Sequence, residues 1–390
     1  MSFPSISQFK GLNNASDPLR LKLGWLSSAD NVDVTSTEAL ERRKGYTRSI
    51  TAPMSGAYST RDFTRLYAVS GSSLIRVNSD MTTKTIATLM GTGRMYWAEA
   101  NRLVYFNNGV DRGIIDAADE VSVWEWSVPV PPGVFAVSGA LPKGTYQACF
   151  TFLLPDGRET GAGPSAGVTL DGSQAFSITG IPQITGYVTQ LYITPADSTV
   201  FQLVGPVTST SYTWNSTPDA LGINLATQFM DPMPQGATVI QHWHGRMFAA
   251  QHLPSLNQTV VWFSEPLGMH LFNLNTGYFM VAGQVRMLAP TDSALIVGTD
   301  AEIMAYDDEG ISQLADYGVV PGWPWVFEDK QVLIWSMRGV CRAAPFENLT
   351  QSYVSVPPGI QAGAALVLRD GEKKFMANLH AGGAAFNKRF

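Results

Sequence analysis

Every apolar stretch of this 390-residue chain meets a Gly, a Pro or a polar turn before it can complete a long helix, and that punctuation constrains the fold more than any other feature. The most helix-like candidate, Pro218 to Phe229, is short and itself interrupted. Short alternating or continuous apolar runs bounded by turn residues recur instead, as strands require. Composition agrees: 36 Gly and 23 Pro accompany only 15% charged residues, well below the usual share of about a quarter. With 45% hydrophobic residues the chain buries a sizeable core. The expected fold class is all-β.

The texture changes twice along the chain. Residues 1–50 read as an extended N-terminal segment leading into a first propeller strand. From Tyr58 to Trp126 hairpins follow one another, including Arg65 to Val69 with Ser73 to Val77, and Arg94 to Trp97 with Arg102 to Phe106. These two hairpins are expected to form one four-stranded unit. Ser127-Val128-Pro129-Val130-Pro131-Pro132-Gly133 is too proline-dense for a central strand and marks a boundary. Asp231-Pro232-Met233-Pro234 marks a second. Between them, short evenly spaced strands suit a small β-sandwich, and after Val239 the first texture returns. The expected organisation is a β-propeller in two parts, 51–128 and 235–390, interrupted by a sandwich over 129–234. The propeller part has room for roughly five to seven blades. A two-domain arrangement of sandwiches without a propeller is the competing architecture.

A net charge of −6 argues against a protein that grips nucleic acid by neutralising phosphates, although a wall past which DNA slides is compatible with it. The two cysteines, Cys149 and Cys341, lie in apolar runs and form no CxxC motif, which reads as buried thiols made in a reducing cytoplasm. No signal-peptide pattern or membrane-length apolar stretch is read, so neither export by a leader nor a membrane anchor is expected.

Several constellations bear on chemistry. His242-x-His244 with His252 offers imidazoles but lacks a convincing third ligand, and a packed strand is the simpler reading. Asp307-Asp308-Glu309, and Asp116 with Asp119-Glu120, pair carboxylates as glycosidases do, yet they sit in turns where solvated acids are normal. Asp300-Ala301-Glu302 lacks the ligand spacing of a calcium loop. The Gly161 to Gly163 loop is not followed by a helix, and no nucleophile has an evident base. No catalytic, cofactor-binding or metal residue is assigned. Arg42, Arg43 and Lys44 form the densest basic run. Trp323, Trp325 and Phe327, together with Trp124, Trp126, Phe272 and Tyr278, exceed what short loops need and argue in aggregate for oligomeric packing.

The chain also resembles a known family. Gly11-Leu12-Asn13-Asn14, Asp17-Pro18-Leu19, Leu23-Gly24-Trp25-Leu26, Ala29-Asp30-Asn31-Val32-Asp33-Val34 and Arg42-Arg43-Lys44-Gly45-Tyr46 are similar to the opening of tail-nozzle and tail-hub proteins of short-tailed bacteriophages. Asp156-Gly157-Arg158-Glu159-Thr160 and Leu191-Tyr192-Ile193-Thr194 resemble the fibronectin-like insert found there, and Trp262-Phe263-Ser264-Glu265-Pro266-Leu267 the blade that resumes after it. The resemblance implies a non-enzymatic virion protein, assembled in the host cytoplasm and forming a homo-oligomeric, commonly hexameric, ring in the tail. It also implies neighbouring adaptor or connector proteins, attached fibres or spikes, DNA passing non-specifically through the ring, and no cofactor. The alternative from another class is a propeller lectin or glycan-active enzyme at a cell surface.

Overall fold

The computed structural model describes residues 8–380 apart from 46, 329 and 370. Within them the chain is all-β, as expected, with helix confined to two single 3-10 turns at Pro18–Arg20 and Pro218–Ala220. The helix-like stretch after Pro218 therefore stops after one turn. No helix among the described residues is long and apolar enough to cross a membrane.

Five antiparallel meanders form successive blades. Blade one comprises Ser55–Ser59, Leu66–Ser70, Ser73–Val77 and Thr83–Thr88, and blade two Tyr96–Ala100, Leu103–Asn107, Arg112–Ile115 and Val121–Ser122. Blade three uses Val239–Trp243, Arg246–Leu253 and Gln258–Glu265, with both Gly268–Phe272 and Tyr278–Ala282 paired to the last of these. Blade four spans Val285–Pro290, Leu295–Thr299, Ile303–Asp307 and Gly310–Ala315. Blade five spans Trp325–Glu328, Gln331–Ser336, Gly339–Ala343 and Phe346–Asn348. A smaller sheet of Gly322–Trp323, Gln361–Arg369 and Glu372–His380 packs on the far side of blade five through Trp335, Ala362 and Phe375.

Two expectations need correction. The hairpins at Arg65 and Arg102 belong to different blades, because the polar strands Ser55–Ser59 and Thr83–Thr88 complete blade one without displaying an apolar run. Residues 8–50 contribute no blade strand either. They form a parallel pair, Gly11–Leu12 with Trp25–Leu26, and a small hairpin, Val32–Val34 with Leu40–Arg42. This segment is strapped to the chain near its other end: the Asn14 side chain donates to the Ser355 carbonyl and accepts the Ser355 N–H, and Trp25 stacks on Tyr353.

The continuous apolar runs have a direct cause, since a strand flanked by two other blades is buried on both faces. In blade two, Trp97, Val104, Phe106 and Ile115 face blade one, while the alternating residues Ala98, Tyr105 and Ile114 face blade three. Blade three repeats the pattern, with Met247 and Ala249 toward blade two and Phe248 and Ala250 toward blade four. Side chains also donate across the seams to backbone carbonyls: Trp97 Nε1 to Gly56, Asn107 Nδ2 to Ala237, Gln241 Nε2 to Leu288 and Trp243 Nε1 to Thr291. Buried donors thus find acceptors in the next blade, which fixes blade register as well as contact.

The first strands of blades two to five meet around an axis that is filled. Trp323 stacks on Trp325 and meets Tyr58 of blade one edge-on, and the residual axial cavity is only about 10 Å³. Glycine is needed at 322, where this plug pairs with Gln361–Arg369, since a Cβ there would lie 1.9 Å from the Ala362 carbonyl oxygen and its φ is +138°.

The inserted domain runs between blades two and three. Its sheets are Gly133–Leu141, Gln174–Thr179 and Ser211–Trp214 against Ala166–Leu170, Gly144–Leu153, Val188–Ile193 and Gln202–Val207. Tyr146, Phe150, Phe176, Ile178, Leu191 and Trp214 fill the space between them.

Candidate functional site

Two places collect polar side chains beyond what local structure needs. One is the junction of sandwich and propeller. The Leu153–Glu159 turn reaches back so that Arg158 donates to the carbonyls of Val123 and Trp124, with Asp156 2.7 Å from the same guanidinium. The His270 ring lies 2.9 Å from the Glu159 carbonyl. Burial lowers the His270 pKa, so the ring is neutral near pH 7, and the Glu159 carbonyl requires Nε2 to carry its proton. Below this, Arg112 pairs with the buried Glu125, which also accepts the Met233 N–H and so ties the outgoing linker to the returning one. Gly161 is needed here because a Cβ would lie 1.7 Å from the Met230 carbonyl oxygen. The junction is a latch built from backbone carbonyls and one buried ion pair, Arg112 with Glu125.

The other is an open cleft of about 750 Å³ where the strand-connecting loops of blades one and two meet. Arg61, Arg65, Arg76 and Arg102 converge on it, together with Asp62, Glu99 and Asp119. Asp62 organises the first loop by accepting Thr60 Oγ1 at 2.6 Å and both the N–H and Oγ1 of Thr64. Those bonds hold its carboxyl down at about 2. Phe63 stands at the loop tip with φ +56° and 86% of its surface exposed. Asn101 and Arg102 form the neighbouring two-residue hairpin turn with φ of 53° and 64°. Such a turn favours glycine in its second place, so an arginine there is held in a costly conformation.

The carboxylates are already occupied. Glu99 accepts the Tyr58 hydroxyl and the Arg61 N–H, and Asp119 accepts the Tyr67 hydroxyl and lies 3.5 Å from Arg76. Burial first, and these carboxylates second, push both phenols well above their ordinary pKa, so they remain donors. Arg65 and Arg76 both lie over the Tyr67 ring, at 6.0 and 5.5 Å from its centroid. Arg65 further donates to the carbonyls of Asp116 and Arg102, whereas Arg76 Nη1 is buried with no partner.

The residues singled out in the sequence fall elsewhere. Arg42 and Lys44 are exposed at the end of the N-terminal hairpin, and Arg43 lies 2.8 Å from Asp33. Trp325 is buried in the seam between blades four and five, Trp323 plugs the axis, and Phe327 is 46% exposed. Much of the aromatic surplus read as oligomeric packing serves seams inside the molecule: Trp124 and Phe272 between blades two and three, and Trp126 on Tyr187 of the sandwich. His244 stacks on Trp243, whereas His252 contacts Thr259. Among the described residues no group of three or more His, Cys, Asp or Glu is placed to hold a metal ion. Asp116 and Asp307 accept backbone N–H groups within their own turns. The cleft arginines escaped notice because they are scattered in sequence. The available signal covers two of the four: an arginine stands immediately before the second strand of each of the two blades, at Arg65-Leu66 and Arg102-Leu103.

No family model matches the chain, and no curated protein does. Solved structures with a similar course include Kuenenia stuttgartiensis hydrazine synthase, at TM-score 0.36 and 10% identity over 86% of this chain and 99% of that one. Kluyveromyces lactis Hsv2 aligns at TM-score 0.29 and 10% identity, covering 75% of this chain and 74% of the other. Porphyromonas gingivalis dipeptidyl peptidase 4 aligns at TM-score 0.29 and 10% identity, covering 82% and 41% respectively. These likenesses are too distant to carry chemistry to this chain.

Proposed function

We propose that this chain is a structural building block of a phage tail, forming a homo-oligomeric ring of the nozzle or hub type that passes DNA and docks neighbouring tail proteins or fibres. The observation that most supports the reading is the latched junction: a propeller with filled seams and a sandwich tied to it by Arg158, Glu125 and His270 make one stiff, two-part body. A body of this kind suits load-bearing assembly. The resemblance of the N-terminal segment to tail-nozzle proteins supports the particular setting.

The filled axis refines the reading. Duplex DNA, whose major groove alone is about 12 Å wide, has no path through a cavity of about 10 Å³, so in this reading a conduit would lie between copies. Electron microscopy of particles with this chain labelled is expected to place it in a ring on the tail axis. Particles with no ring containing it would overturn the proposal. A glycan array with a hydrolysis assay separates the lectin or glycosidase alternative, for which turnover lost on replacing Asp307 and Asp308 is the signature.

A further inference from the structure

We infer that the arginine-lined cleft between blades one and two is a docking site for an acidic polypeptide segment of another protein. The inference stands independently of the phage reading, because it rests on the cleft alone.

Four guanidiniums converge there in a chain whose overall charge is −6. The acids beside them balance part of that charge, Asp119 lying 3.5 Å from Arg76, but leave Arg61 and Arg102 without an acidic partner. Glu99 and Asp119 are engaged by tyrosine hydroxyls, and Asp62 by its own turn. Neither Arg61 nor Arg102 makes a side-chain hydrogen bond or ion pair with any described residue, and Arg76 keeps one buried nitrogen unpartnered. Planar guanidinium forks match carboxylates in pairs of parallel hydrogen bonds. The strained Arg102 turn is the second sign, since glycine would relieve the backbone and forfeit only the side chain. The third is Phe63, an aromatic exposed at the lip beside Arg61, which gives the arginine-plus-aromatic composition of protein-binding centres.

A nucleic-acid backbone fits less well. Phosphate tracking needs a run of cations, whereas here three carboxylates alternate with the arginines and would face a continuous polyanion. A peptide can place its acids on the arginines and an apolar side chain on Phe63 while keeping other positions neutral.

The full chain tested by fluorescence anisotropy with a labelled Asp/Glu-rich decapeptide containing one Leu is expected to bind at low ionic strength and weaken as salt rises. Arg61→Glu and Arg102→Gly are each expected to reduce affinity at least tenfold. Arg102→Gly should leave the melting temperature unchanged or raised, so lost binding cannot be ascribed to misfolding. A Lys-rich decapeptide and a single-stranded decanucleotide serve as competitors and are expected to displace little. No binding of the acidic peptide, binding indifferent to both substitutions, or tighter binding of the oligonucleotide through the same arginines would overturn the inference.

Discussion

Glu125 shows how much of this molecule depends on single buried partners. Its side chain is 7% exposed, and burial pushes its carboxyl above the ordinary value of 4.5 while Arg112 and the Met233 N–H pull it down. Removing Arg112 leaves a buried carboxylate without its cation, a change that costs about 3 kcal/mol in comparable pairs. Arg112→Met is therefore expected to lower unfolding stability by about that amount at pH 7. A carboxyl with a raised folded-state pKa loses stability as pH climbs from its unfolded to its folded value. The variant raises that folded value further, so its deficit should shrink between pH 7 and pH 5. Urea unfolding at both pH values checks this, and an equal deficit at each would contradict it. The cysteines give a second expectation. Cys149 is 1% exposed, and burial, with Glu159 nearby, pushes its thiol up to about 12. Burial also raises Cys341. Neither thiol should be alkylated by iodoacetamide at pH 8 until urea unfolds the chain, and prompt labelling of the native protein would show that these strands open.

Among the elements, the Leu153–Glu159 turn decides how the sandwich sits. Arg158 is its main link to the propeller, binding two successive carbonyls just after the last strand of blade two. Arg158→Ala should speed proteolysis of the Ser127–Gly133 linker while leaving the propeller's melting nearly unchanged. A linker as resistant as in the parent would assign the latch to His270 and Glu125 instead. Elements buried on both sides were legible in the sequence, because Leu103–Asn107 or Leu295–Thr299 must be apolar throughout. Edge strands were not. Thr83–Thr88 has a polar face and no buried residue, so its sequence does not differ from a loop's, and the Arg65 hairpin reads in sequence as half of a four-stranded unit completed by the Arg102 hairpin. The proline-rich boundaries were legible for the opposite reason: proline cannot donate to a ladder wherever it falls.

At the scale of the whole molecule, fold class and the interrupted propeller were legible because they follow from local pattern and its two changes of texture. The candidate site was not. Arg42, Arg43 and Lys44 stand together in sequence and lie on a peripheral hairpin, whereas Arg61, Arg65, Arg76 and Arg102 meet only once blades one and two are side by side. Trp323 and Trp325, close in sequence, pack in the plugged axis and a blade seam. Large apolar side chains left outside include Phe327, Phe63 and Tyr278, where contacts of the proposed ring would be sought. Because the propeller axis is closed, assembly into a ring is what would create a conduit. Cryo-electron microscopy of the purified chain across a range of concentrations tests this most directly. The account expects closed rings of several copies around a wide central opening, each copy showing a filled propeller axis; a monomer at every concentration, turning over a glycan, would contradict it.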